Sequence, residues 1–122
     1  MKQEEFNELF RARTKKLALD IITIVSEINY SDALSIIRKQ LIRSVTSVAA
    51  NYRAVCRARS EKEKYAKLCI VVEEADETLF WIEMLIDGGF TAEEKLFELR
   101  NESEEILKVM SSYRSKLKPA NH

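Results

Sequence analysis

Residues 60–89 read SEKEKYAKLCIVVEEADETLFWIEMLIDGG. Within them Tyr65, Leu68, Val72, Ala75, Leu79, Ile82 and Ile86 follow alternating steps of three and four without a miss. That spacing lays one apolar stripe along an α-helix and does not fit the two-residue period of a strand. Ser60 with Glu63 opens the segment as a capping box, each side chain satisfying an orphan N–H at a helix start. Gly88-Gly89 closes it, because glycine adopts the left-handed C′ conformation cheaply. The segment predicts one helix over 61–87.

Three more helices follow from the same rules. The first spans about 4–28, with Phe6, Phe10, Leu17, Ile21, Ile24 and Ile28 as its stripe. Asn29-Tyr30-Ser31-Asp32 breaks it, and Ser31 or Asp32 is placed to cap the next helix. The second spans about 33–57, with Leu34, Ile37, Leu41, Val45, Val48, Tyr52 and Val55. Thr91 with Glu94 reads as a second capping box. The fourth helix, about 92–117, carries Leu96, Leu99, Ser103, Ile106, Met110, Tyr113 and Leu117. Pro119 closes it, and Ala120-Asn121-His122 reads as a frayed tail. Connections this short favour antiparallel neighbours, so the expected fold is all-α, an up-down-up-down four-helix bundle. No linker or internal repeat divides residues 1–122, which read as one domain.

The composition agrees. With 2 Gly, 1 Pro and 33% charged residues in 122, the chain suits long helices and not a turn-rich β fold. Twenty basic and twenty acidic side chains cancel, which argues against global attraction to nucleic acid or anionic membrane. Any such binding has to be local. No apolar run approaches the roughly 20 residues that span a bilayer. The N-terminus lacks the apolar core of a signal peptide, so a cytoplasmic location is expected. Cys56 and Cys69 make no C-x-x-C pair and no disulfide framework; both read as small apolar residues in a reducing compartment.

The charge is segregated along the chain. Residues 33–60 hold six basic side chains, Arg38, Lys39, Arg43, Arg53, Arg57 and Arg59, and no acid. Residues 61–90 hold eight acids against three lysines. At about 100° per residue, Lys39, Arg43, Arg53 and Arg57 fall opposite the apolar stripe of the second helix, within an arc of about 80°. They form a basic ridge about 27 Å long, with Thr46 and Ala50 in its middle. Such a ridge serves phosphate contact, a solvated face, or pairing with acids of another subunit. No aromatic residue interleaves it, so base stacking has little support there.

The third helix carries a second set behind its stripe: Ile70, Glu74, Glu77, Trp81 and Met84. On this register Trp81 and Ile70 point almost away from the core. A tryptophan backed by Ile70 and Met84 predicts a subunit interface, rimmed by Glu73, Glu74 and Glu77. Ser44, Ser47 and Asn51 lie beside the core stripe of the second helix and suit close helix packing or interhelical hydrogen bonds. Catalysis has little support. The single histidine is His122, in the tail. There is no Glu-x-x-His motif, no glycine-rich phosphate loop and no convergent acidic cluster, so no metal, cofactor or catalytic residue is expected.

Residues 40–51, QLIRSVTSVAAN, resemble the Q-L-x-R-S-x-x-S-[IV]-x-x-N signature of a bacterial four-helix bundle family. Its members include proteins encoded in intervening sequences of large-subunit ribosomal RNA genes, and the accessory variability proteins of diversity-generating retroelements are relatives. Arg57-Ala58-Arg59-Ser60, Glu63 and the region from Glu73 to Glu83 continue the resemblance, over roughly 5–115. It implies an antiparallel bundle, a homopentamer and a non-enzymatic role. The retroelement relatives bind nucleic acid and a reverse transcriptase through basic surfaces. By position, the resemblance carries that role to Lys39, Arg43, Arg53 and Arg57. One departure is Ala54-Val55, where many members have Glu-Gly; the second helix is therefore expected to run on unbroken.

Overall fold

A computed structural model describes residues 1–117. Pro119 and His122, and the expected frayed tail with them, lie outside the described residues. Four helices follow one another: α1 Gln3–Ser26, α2 Asp32–Cys56, α3 Glu61–Asp87 and α4 Glu94–Leu117. α1 and α3 each pack on α2 and α4. Cross-contacts set the directions. Asn7 meets Tyr52 and Gln3 meets Tyr113, so α1 runs antiparallel to α2 and α4; the short turn over residues 57–60 returns α3 along α2, where Arg43 meets Glu74 and Glu77. This is the up-down-up-down four-helix bundle that the stripes and short connections predict.

The caps show how the chain turns. Ser31 Oγ accepts from Leu34 N at 3.0 Å, and Ser60 Oγ accepts from Glu63 N at 3.0 Å. Each satisfies one of the four orphan donors of its helix. The Ser60 box is half made, because the Glu63 carboxylate lies 3.7 Å from Arg59 Nε instead. The Thr91 box does not form. Thr91 Oγ1 accepts from Glu93 N at 3.2 Å, a tight turn that delays the helix to Glu94. α3 ends in a Schellman motif: Gly89 N donates to Ile86 O at 3.1 Å and Phe90 N to Leu85 O at 3.1 Å. Gly89 takes the left-handed conformation, φ 70°, and Phe90 packs back on the core. A Cβ on Gly88 would sit 2.8 Å from both Met84 O and the Phe90 ring, so that glycine allows the close return.

The core bears out α2 completely: Leu34, Ile37, Leu41, Val45, Val48, Tyr52 and Val55 are all buried. On α3 the buried set is Leu68, Val71, Val72, Ala75, Thr78, Ile82 and Leu85, while Tyr65, Leu79 and Ile86 are only half-buried. The true core direction is therefore turned by roughly 40° from the one the stripe indicates. Thr78 explains the turn. Its hydroxyl reaches Glu74 O at 2.8 Å and lies 3.0 Å from Ser44 Oγ on α2, so a polar residue sits in the core at no unsatisfied cost. Thr14 does the same on α1, donating to Phe10 O at 2.7 Å. Ser44 thus makes the interhelical contact expected of it, whereas Asn51 bonds Ser47 within its own helix.

Aromatic residues close one end. Phe6 packs on Phe10 at 4.8 Å and on Tyr113 at 5.3 Å, and Phe10 reaches Tyr52 at 6.5 Å. Burial pushes the Tyr52 phenol well above its ordinary pKa. A raised acid pKa means that the native state holds a proton the unfolded chain gives up. This contribution is whole below about pH 10, the unfolded value, and is lost as pH rises above it. Urea midpoints at pH 9, 10 and 11 should therefore fall steeply, by up to about 1.4 kcal/mol of stability per pH unit for one such group. Tyr52→Phe should flatten that alkaline limb; an unchanged slope would show that Tyr52 does not carry it.

A basic groove between α1 and α2

The ridge expected along α2 does not act as one strip. Arg43 turns toward α3, donating to Glu74 Oε2 at 2.8 Å through Nη1 and to Glu77 Oε2 through Nη2. Its Nε donates to Gln40 at 3.2 Å. Its charge is spent within the chain, on two acids of the set assigned to the α3 outer face. Lys39 is exposed and lines no part of the groove described next. Arg53 and Arg57 turn the other way and line a groove with residues of α1.

This groove encloses about 670 Å³. Arg11 and Lys15 rim it from α1, and Arg53 and Arg57 rim it from α2. Glu8 is the single acid on its wall. Its floor is small and aliphatic: Ala18, Leu19 and Ile22 from α1 meet Ala49 and Ala50 from α2. The helices position the rim simply. Residues four apart on a helix are neighbours on its surface, so Arg11–Lys15 and Arg53–Arg57 form two facing pairs, each about 6 Å long. The alanines beneath keep the floor low, so something can approach both pairs at once.

Some cations pair with acids of the same chain, while others, such as Lys39, Lys62 and Lys67, stand unpaired on the surface among the described residues; what sets the groove cations apart is that four unpaired ones face one concavity. Arg13, Lys16, Arg43, Arg59, Lys64, Lys95 and Lys108 all form ion pairs. Arg13 grips Glu102 with two nitrogens, at 2.9 and 2.6 Å, and that hydrogen bonding raises its pKa. Among the described residues, Arg11, Lys15, Arg53 and Arg57 form none. In a chain of zero formal charge, four unpaired cations around one concavity make a strong local field.

The α3 outer face also differs in part from expectation. Ile70 and Met84 are exposed, at 37% and 40%, and Phe80 joins them at 49%. Trp81 is not the exposed anchor that the stripe suggested. It packs against the core, its Nε1 buried without a partner among the described residues, because the core is turned toward it. Phe80 stands against it edge-on at 4.9 Å.

The remaining chemistry is quiet. The Cys56 thiol is pushed up by burial, with Tyr52 and Arg11 beside it, so it is protonated at neutral pH and a poor nucleophile. Among the described residues no group of three or more His, Cys, Asp or Glu side chains could hold a metal ion. No described helix is long and apolar enough to cross a membrane.

Fold and surface together define an all-α four-helix bundle whose distinguishing feature is one unpaired basic groove. The chain belongs to the 23S rRNA-intervening sequence protein family, whose family model matches residues 9–112. Its fold is similar to the crystal structure of a protein of unknown function from the S23 ribosomal protein family from Bacteroides thetaiotaomicron. The two share 28% identity over 89% of this chain and 97% of that one, with a TM-score of 0.77. Comparison with curated proteins returns no match.

Proposed function

We propose that the chain is a non-enzymatic, oligomeric helical bundle that binds RNA or DNA through phosphate contacts in the α1–α2 groove. The observation that carries this reading is the set of four cations, Arg11, Lys15, Arg53 and Arg57, facing one concavity with no acid paired to any of them. Phosphate contacts of this kind supply affinity without sequence choice, and no aromatic side chain lines the groove to stack on bases. The resemblance carried this role to Lys39, Arg43, Arg53 and Arg57; the geometry favours Arg53 and Arg57 of those, with Arg11 and Lys15 added. The assembled form is a homo-oligomer, of five copies by the family resemblance. Several weak grooves on one particle then add by effective concentration.

Single substitutions separate the two halves of the former ridge. Arg53→Gln should reduce the slope of log affinity against log salt by about one contact and weaken binding to all sequences alike. Arg43→Gln should leave the slope unchanged, since Arg43 already neutralises Glu74 and Glu77. Equal loss in both variants would return the site to the continuous ridge.

A second reading has its own observation. The groove floor is aliphatic, which suits an apolar helix face more than a bare phosphate strand. In that reading the charged faces serve self-assembly or a protein partner.

A further inference from the structure

The α1–α2 groove changes character along its length. Its α1 wall steps from Arg11 and Lys15 to Leu19 and Ile22 at intervals of four, four and three residues. α2 runs the other way, so Arg53 and Arg57 stand toward the Arg11 end, and Thr46 and Ala49 toward the Leu19 end. The basic end answers phosphate. The aliphatic end answers nothing in a phosphate chain, yet Leu19 is 54% exposed there. Thr46 adds no polar demand, because its hydroxyl donates to Ile42 O at 2.7 Å within its own helix. A lone exposed leucine needs no explanation. Leu19 is different, because with Ile22 it continues a line of unpaired cations inside one concavity.

We infer that this aliphatic end takes the faces of unpaired bases, which makes the groove a site for single-stranded nucleic acid. The inference rests on the nucleic-acid part of the proposed function and names its substrate class. A base has a polar edge and two apolar faces. In a duplex the faces are stacked on one another, and only the edges show in the grooves. A duplex also cannot sink between two packed helices, whose axes lie about 8–10 Å apart, so it meets the rim alone. An unpaired strand is thin enough to lie in the groove. Its phosphates then sit among Arg11, Lys15, Arg53 and Arg57, and a base further along the strand covers Leu19 and Ile22. Apolar side chains hold the faces of extruded bases in this way, and no aromatic ring is required. The contact selects the strand and not the sequence. Among the described residues at the Leu19 end of the groove, no free hydrogen-bonding side chain is placed to read a base edge.

Fluorescence anisotropy of the purified full chain tests it with three labelled probes. They are a thymidine strand of about 12 nucleotides, an abasic strand with the same number of phosphates, and a duplex of the same length. At about 0.15 M salt the thymidine strand should bind more tightly than the duplex. It should also bind about fivefold more tightly than the abasic strand, the worth of covering the exposed half of one leucine. Leu19→Ser should remove the difference between the thymidine and abasic strands. It moves no charge, so duplex affinity and the salt slope on every probe should stay as they are. Leu19→Trp, which puts a ring in the same place, should instead tighten the thymidine strand by about tenfold. Position 19 is exposed, so both variants should keep the helical circular dichroism of the wild type. An abasic strand or a duplex that binds as tightly as the thymidine strand would overturn the inference and leave the phosphate-contact reading standing. So would a Leu19→Ser chain that keeps the full preference for bases. A chain that binds none of the three probes would overturn both.

Discussion

Reversing Lys15, Arg53 and Arg57 to glutamate should remove nucleic-acid binding while leaving the bundle folded. The expected size follows from counterion release. Each phosphate contact contributes about 0.9 to the salt slope on duplex DNA, so losing three near 0.15 M salt costs about a hundredfold in affinity. Reversal costs more than neutralisation, because the new acids repel the strand. The fold should tolerate the change. Lys15, Arg53 and Arg57 are exposed and unpaired, and surface substitutions of that kind shift stability by about 0.5 kcal/mol or less. Fluorescence anisotropy with a labelled duplex and a labelled single strand would read the affinity, and circular dichroism the helix content. Binding within threefold of wild type would remove the groove as the site.

Leu68→Ala should be among the most damaging single truncations on α3, with Ile82 and Leu85 equally buried, and it measures how the helix is turned. Leu68 is 0% exposed and belongs to the core cluster between α2 and α4. Truncating a buried leucine costs about 2–5 kcal/mol, partly from lost transfer energy and partly from the cavity left behind. That is a large share of the 5–15 kcal/mol that holds a domain together, and it should lower Tm by roughly 10 °C. Leu79→Ala is the contrast. The apolar stripe ranks Leu79 beside Leu68, but the folded helix leaves it half-buried, so its truncation should cost about 1 kcal/mol. Equal losses at the two positions would mean that α3 sits on the register its stripe indicates.

The difference between those leucines marks where the sequence was legible. α2 could be read residue by residue, since its stripe is the only apolar face it has. α3 has apolar residues on nearly every side, so its stripe defined a helix without settling its rotation. Thr78 then misled the reading. A threonine looks like surface until its hydroxyl is seen against Ser44 and the Glu74 carbonyl, when it becomes a core residue. The same rotation draws Trp81 inward and leaves Phe80, which lies off the stripe, as the exposed aromatic.

The groove was illegible for a different reason. Its two walls come from separate helices, and the α2 basic run drew all the attention to one of them. Counting back across the hairpin would have found it. Asn7 faces Tyr52, so Arg11 and Lys15 have to lie near the α2 stretch that holds Ala49, Ala50 and Arg53. Nor could a linear count show that Glu74 and Glu77 take Arg43 out of the ridge, because that pairing needs the antiparallel register of α2 and α3. The charge segregation between residues 33–60 and 61–90 was real. It divides into an internal ion-pair cluster on one side of α2 and an unpaired groove on the other.

The most direct measurement is the binding of the purified chain to short RNA and duplex DNA, titrated across salt. The account predicts log affinity falling linearly with log salt, with a slope near −3 to −4 on duplex for about four phosphate contacts. No binding at about 50 mM salt, or binding indifferent to salt, would contradict it.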